Sequence, residues 1–95
     1  MLIVNAGIMT IDKFVESPAQ VQQNMMDVNV YHVAFMCRTF LPQLVKGKRS
    51  ALIVNSSIAS EFPLPAVTVY SATKAFATFL TRSLAIEHKG DPIDI

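Results

Sequence analysis

Two short stretches carry no polar residue at all, Met1-Leu2-Ile3-Val4 and Ala51-Leu52-Ile53-Val54. Each stops abruptly at small polar residues, Asn5-Ala6-Gly7 and Asn55-Ser56-Ser57. A strand with one face in water alternates apolar and polar side chains. A strand that is apolar at every position asks for cover on both faces, the situation in a parallel sheet. Between the two runs lies a helix signature, with Ser17 where a cap belongs, Pro18 at the first helical position and Gln20 as the capping-box partner. Val21, Met25, Val28, Phe35, Met36, Phe40 and Leu44 then recur at helical spacing. This predicts a helix from Pro18 to about Lys46, closed by cationic residues and Gly47. Pro42 has no backbone donor and can bend the last turn.

After the second run, Pro63 and Pro65 exclude helix and set an extended loop from Ile58 to about Thr68. A second helix follows from near Val69 to Lys89, with Phe76, Phe79, Leu80 and Leu84 as its expected inward stripe. Gly90-Asp91-Pro92 ends it, and Ile93-Asp94-Ile95 opens a third strand. Strand, helix, strand, helix, strand is the order of a parallel α/β sheet. Crossovers between parallel strands are right-handed, so strands stepping one way across the sheet place both helices on one face. The other face then has no cover from these residues. The expectation is a single incomplete domain over residues 1–95, a piece of a larger unit or one that needs a partner.

Composition agrees with an interior slice. The apolar share is 52% and the charged share 16%, against about 45–50% and a quarter in ordinary globular domains. A net charge of +1 with no basic stripe argues against nucleic acid as a partner. The single cysteine, Cys37, excludes an internal disulfide and a cysteine-rich zinc site, and its apolar helical setting makes it a small buried hydrophobe. His32 and His88 lack metal-ligand spacing and are expected to face solvent, so no metal site is expected. Asn55-Ser56-Ser57 fits the glycosylation sequon, but it follows an apolar strand and is discounted. No apolar run approaches bilayer length, and the start lacks the basic and apolar regions of a signal peptide, which points to an intracellular setting.

Ligands of parallel sheets sit beyond the carboxyl ends of the strands. Asn5, Asn55, Ser56 and Ser57 fall there, and Tyr70, near the amino end of the second helix, returns to the same edge. Tyr70 and Lys74 are four residues apart and share a helix face. A phenol and an ammonium addressing one point can move a proton to or from a small molecule. The same spacing also fits a tyrosine packed at a helix start with a solvated lysine one turn on.

Taken together, these residues resemble the short-chain dehydrogenase/reductase family. Asn5-Ala6-Gly7 is similar to that family's Asn-Asn-Ala-Gly motif, with Val4 in place of the first asparagine. Asn29 falls where the family keeps a helical asparagine, Ser57 where it keeps its catalytic serine, and Tyr70 and Lys74 match its Tyr-x-x-x-Lys. The intervals agree, with Ser57 thirteen residues before Tyr70 and Asn29 twenty-eight before Ser57. The resemblance implies a Rossmann-type fold, an NADP or NAD cofactor with NADP slightly favoured, and a catalytic set of Asn29, Ser57, Tyr70 and Lys74. In that scheme Tyr70 exchanges a proton with the substrate oxygen. Lys74 eases this by favouring the phenolate and holds the nicotinamide ribose. Ser57 orients the substrate oxygen, Asn29 holds a water that links Lys74 to solvent, and Asn5, Ala6 and Gly7 lie beside the adenosine half of the cofactor. An asparagine inside a helix is otherwise unexplained, because it favours caps.

The family's Gly-rich phosphate-binding turn, the residue that selects NAD or NADP, and the later substrate-covering loop are not in this sequence. Leu64-Pro65 ahead of Val69-Tyr70-Ser71-Ala72-Thr73-Lys74 resembles the hydroxysteroid dehydrogenase and 3-oxoacyl-CoA reductase branch. That branch implies a carbonyl or alcohol substrate of steroid or fatty acyl type, in the cytoplasm or at the endoplasmic reticulum membrane. The family also implies a homo-oligomer paired through the two helices; Phe35, Phe40, Phe76 and Phe79 can serve core or interface, and the sequence does not say which. The alternative is a truncated, non-catalytic fragment or interaction module that does not bind cofactor alone.

Overall fold

A computed structural model describes all residues from Met1 to Ile95. Strand β1 (Leu2–Val4) leads through a long loop to helix α1 (Ala19–Met26), which runs through a π-helical turn (Asp27–Tyr31) into α2 (His32–Val45). Strand β2 (Ser50–Val54), a single 3₁₀ turn (Ile58–Ser60), helix α3 (Thr68–Glu87) and strand β3 (Ile93–Asp94) complete the chain. The strands are parallel and ordered β1-β2-β3, with Leu2, Ile3 and Val4 opposite Leu52, Ile53 and Val54.

Val4 and Leu52 are buried together with Val33, Cys37 and Leu41 of α2 and Ala77 of α3. Both helices therefore cover the same face of the sheet, as right-handed crossovers require. Ile3 and Ile53 point the other way and remain 53% and 47% exposed. The bare face expected from the uninterrupted apolar runs is present. Inside the core, burial pushes the Cys37 thiol above its ordinary value of 9.0, because the thiolate has no water there.

The long helix keeps one stripe turned inward by means of its π turn. The buried positions are Met25, Asn29, Val33, Cys37 and Leu41, each four residues from the last. In a straight α-helix every step of four overshoots a turn by about 40°, which would carry the stripe about 160° round. A π turn takes in one extra residue and removes about 100° of that drift. This phase shift also corrects the expected stripe, since Phe35 (55% exposed) and Phe40 (36% exposed) turn to solvent. In α3 the inward places go to Ala77, Leu80 and Leu84. Phe79 lies about 200° round the helix from Ala77 and is 73% exposed.

Three local expectations are also corrected. Ser17 does not cap, because the extended backbone at Pro18 (ψ 138°) makes that residue the cap, and its carbonyl accepts from the Val21 and Gln22 amides. The Ser17 hydroxyl is buried without a partner, and Gln20 donates to Asn24 at 2.9 Å instead of closing a capping box. His88 does not simply face solvent, since its Nδ1 lies 2.8 Å from Asp91 Oδ2 in the turn that follows α3. That turn needs Gly90, whose φ of 99° belongs to glycine. Pro42 stands inside α2, so the Arg38 carbonyl lacks its usual donor. The loop before α3 holds Ala66 at φ 62°, a costly conformation for a side-chain-bearing residue, and its carbonyl accepts the Asp12 amide at 2.8 Å.

Candidate active site

The carboxyl ends of β1 and β2 and the amino end of α3 meet at one rim. Lys74 is only 6% exposed although it carries an ammonium. Its Nζ donates to the Asn55 carbonyl at the end of β2 (3.2 Å) and lies 5.8 Å from the centre of the Tyr70 ring. An ammonium has three donors, so one hydrogen bond within the chain leaves capacity for a ligand. The fourfold spacing puts Tyr70 and Lys74 side by side as helix geometry requires.

Gly7 makes room for this arrangement. A Cβ on Gly7 would stand 3.1 Å from Lys74 Nζ and 3.5 Å from Asn29 Oδ1. The ammonium and the amide oxygen thus border the same small space beside the end of β1. This cradle offers what the sugar hydroxyls of a nicotinamide cofactor need: a donor, an acceptor and close approach to backbone. Asn5 and Ala6 are exposed beside it, and Asn5 Oδ1 accepts from Asn55 Nδ2 at 2.9 Å, tying the two strand ends together.

Asn29 sits in the π turn and is 1% exposed. Its amide pairs with the backbone of Ile8 as a neighbouring strand would. Oδ1 accepts from the Ile8 N–H (2.9 Å), and Nδ2 donates to the Ile8 carbonyl (2.7 Å). The second Nδ2 proton goes to Thr73 Oγ1 at 3.1 Å. A buried amide so satisfied is not costly, whereas an unpaired one would be.

Ser57 has an extended backbone and caps the 3₁₀ turn, its Oγ accepting from the Ala59 amide at 3.2 Å. The hydroxyl proton and one lone pair stay available. Ser56 faces the helix, where its Oγ donates to the Lys74 carbonyl (3.1 Å) and lies 2.6 Å from Thr78 Oγ1. The β2 end is thereby pinned to α3 at the turn that carries Lys74.

Of the residues singled out from the sequence, Gly7, Asn29, Tyr70 and Lys74 share direct neighbours. Ser57, Asn5 and Ala6 occupy the rim around them. The site is an open ledge. A cleft of about 470 Å³ lies on the outer side of α3, between residues 59–65 and Ser71, Ala72 and Ala75, and is lined by neither Tyr70 nor Lys74. Sequence reasoning missed Thr73 and the pinning role of Ser56. A hydroxyl three residues after Tyr70 shares its helix face, but nothing local in the sequence links it to Asn29.

The chain is 36% identical over 72 residues to a very-long-chain 3-oxoacyl-CoA reductase of Danio rerio, covering 76% of this chain and 23% of that protein. It superposes with TM-score 0.90 and 27% identity on a short chain dehydrogenase/reductase from Burkholderia phymatum in complex with NAD, over 98% of this chain and 34% of that one. ElxO with NADP bound gives TM-score 0.91 at 27% identity, over 99% of this chain and 38% of that one. The chain spans about a fifth of the length of the curated relatives it matches. The short chain dehydrogenase model matches residues 1–95, every residue described, and the chain belongs to that family.

Proposed function

We propose that residues 1–95 are the catalytic segment of an NAD(P)(H)-dependent carbonyl reductase or alcohol dehydrogenase. The observation that carries the reading is the buried Lys74 ammonium, set beside the Tyr70 ring with donor capacity to spare. When bound, the nicotinamide supplies or removes the hydride. Tyr70 gives its phenol proton to the substrate carbonyl oxygen, or takes it back in the alcohol-oxidising direction. A free tyrosine, titrating near pH 10, holds its proton too tightly for easy exchange at neutrality. Lys74, one turn on, stabilises the phenolate left behind. Ser57 donates its hydroxyl proton to the substrate oxygen and fixes its position. Lys74 releases a proton toward the phenolate, and a water held by Asn29 replaces it from solvent, which restores both the phenol and the ammonium. Asn5, Ala6 and Gly7 line the adenosine half of the cofactor, and Tyr70 and Lys74 its nicotinamide ribose.

The proposed substrate is a small-molecule ketone or alcohol, with a fatty 3-oxoacyl thioester or a steroid as the first classes to test. NADP is slightly favoured over NAD. The setting is intracellular, in the cytoplasm or at the endoplasmic reticulum membrane; no helix of the chain is long and apolar enough to cross a membrane. Exposed Phe35, Phe40 and Phe79 support a homo-oligomer paired through the helices, and the net charge of +1 supports no nucleic-acid partner. The proposed domain is one partial nucleotide-binding unit, with the phosphate-binding half and the substrate-covering segment supplied by further sequence.

A second reading is favoured by one observation, the bare sheet face at Ile3 and Ile53. By it, the 95 residues alone form a non-catalytic fragment that does not hold the cofactor. Titration with NADPH separates the two. The full-length enzyme binds saturably and reduces a ketone or 3-oxoacyl thioester, and the 95-residue chain does neither. Micromolar binding by the short chain removes the second reading. Binding without turnover of any carbonyl by the full-length enzyme removes the first.

A further inference from the structure

We propose that Thr73 is a positioning residue for Asn29, a role that rests on the site reading above. Thr73 is 1% exposed, and its single hydroxyl proton is committed to the Tyr70 carbonyl at 2.7 Å. With that proton spent, Oγ1 can only accept, and what it accepts is the Nδ2 proton of Asn29 at 3.1 Å. The Asn29 amide is therefore keyed from two sides. Ile8 fixes which end is oxygen and which is nitrogen, and Thr73 fixes the amide against the turn of α3 that carries Tyr70 and Lys74.

The consequence lies at Gly7. Asn29 Oδ1 spends one lone pair on the Ile8 amide and keeps the other, in the space that Lys74 Nζ also borders. Three elements meet through one threonine: the loop after β1, the π turn and the catalytic helix. The hydroxyl sits between Tyr70 and Lys74 in sequence without touching substrate or cofactor. It acts through Asn29.

The test compares Thr73→Val, which keeps shape and removes the acceptor, with Thr73→Ser, which keeps the hydroxyl, in the full-length enzyme carrying this segment. The first readout needs no chemistry: hydrogen exchange of the Asn29 side-chain amide protons and of the Ile8 backbone amide by NMR. Thr73→Val speeds the Asn29 exchange about tenfold or more and Thr73→Ser restores it, as a lost buried acceptor requires. The second readout is kinetic. Thr73→Val lowers kcat about tenfold with KM within about twofold and alters the pH profile of kcat, and Thr73→Ser recovers both. Thr73→Ala, which favours helix, serves the same purpose if the valine variant does not fold. Unchanged Asn29 exchange in the valine or alanine variant overturns the inference. So does faster exchange with kcat and pH profile unmoved, or a loss that serine does not repair. Failure of the site reading is separate, because it shows as full turnover in Tyr70→Phe while Asn29 stays protected.

Discussion

The two halves of helix α3 are held by different physics. The amino half buries Ser71, Thr73 and Lys74 and is fastened by directed hydrogen bonds to Asn29, Asn55 and Ser56. The carboxyl half presents Ala77, Leu80 and Leu84 to Cys37, Leu41 and Leu52, with no direction required of any contact. Directed contacts fix atoms to within the tolerance of a hydrogen bond, while apolar packing fixes only volume. A proton-transfer site needs the first, and the second keeps the first in place. Substitutions in the amino half should therefore cost function, and those in the carboxyl half stability.

The largest expected effect is at the directed end. Lys74→Met in the full-length enzyme should lower kcat/KM by about 10³-fold, a loss of about 4 kcal/mol of transition-state stabilisation. Steady-state kinetics with a ketone substrate checks this, and a loss under tenfold would place Lys74 among the merely structural residues. Leu52→Ala attacks the shared core from the sheet side. It should destabilise by about 2–5 kcal/mol in urea unfolding while leaving kcat of the folded fraction close to wild type. Leu80→Met, which conserves volume in the undirected half, should cost less than about 1.5 kcal/mol and leave kcat alone. A larger cost would mean that this half is also geometrically keyed.

The smallest effect concerns pH. Burial raises the Cys37 thiol above its ordinary 9.0, so folding favours the protonated form. Its contribution to stability is intact below the unfolded thiol's value and is lost as pH rises through the folded one. Urea midpoints of the wild type should fall relative to those of Cys37→Ala above about pH 9 and track them below it. Parallel curves across that range would contradict the burial argument.

Much of the fold was legible because its signals are local. Uninterrupted apolar runs marked β1 and β2, and the bare face at Ile3 and Ile53 followed from crossover handedness together with strands that step one way across the sheet. The capping box at Ser17 failed because side-chain spacing says nothing of the backbone angle at Pro18. The outward turn of Phe35 and Phe40 was hidden because an α-periodic reading counts only apolar residues and does not register the π turn around the buried Asn29. Tyr70 and Lys74 were legible as a pair because both lie on one helix. Thr73 was not, since its meaning depends on Asn29, forty-four residues away. Local periodicity carries no information on such pairs.

The most direct test of the central claim is single-turnover hydride transfer in Tyr70→Phe, followed by stopped-flow absorbance of the nicotinamide with cofactor already bound. The proton-transfer account predicts a rate lower by about 10²–10⁴-fold, with cofactor affinity within about threefold of wild type. An unchanged rate, or a loss explained wholly by weaker cofactor binding, would contradict it.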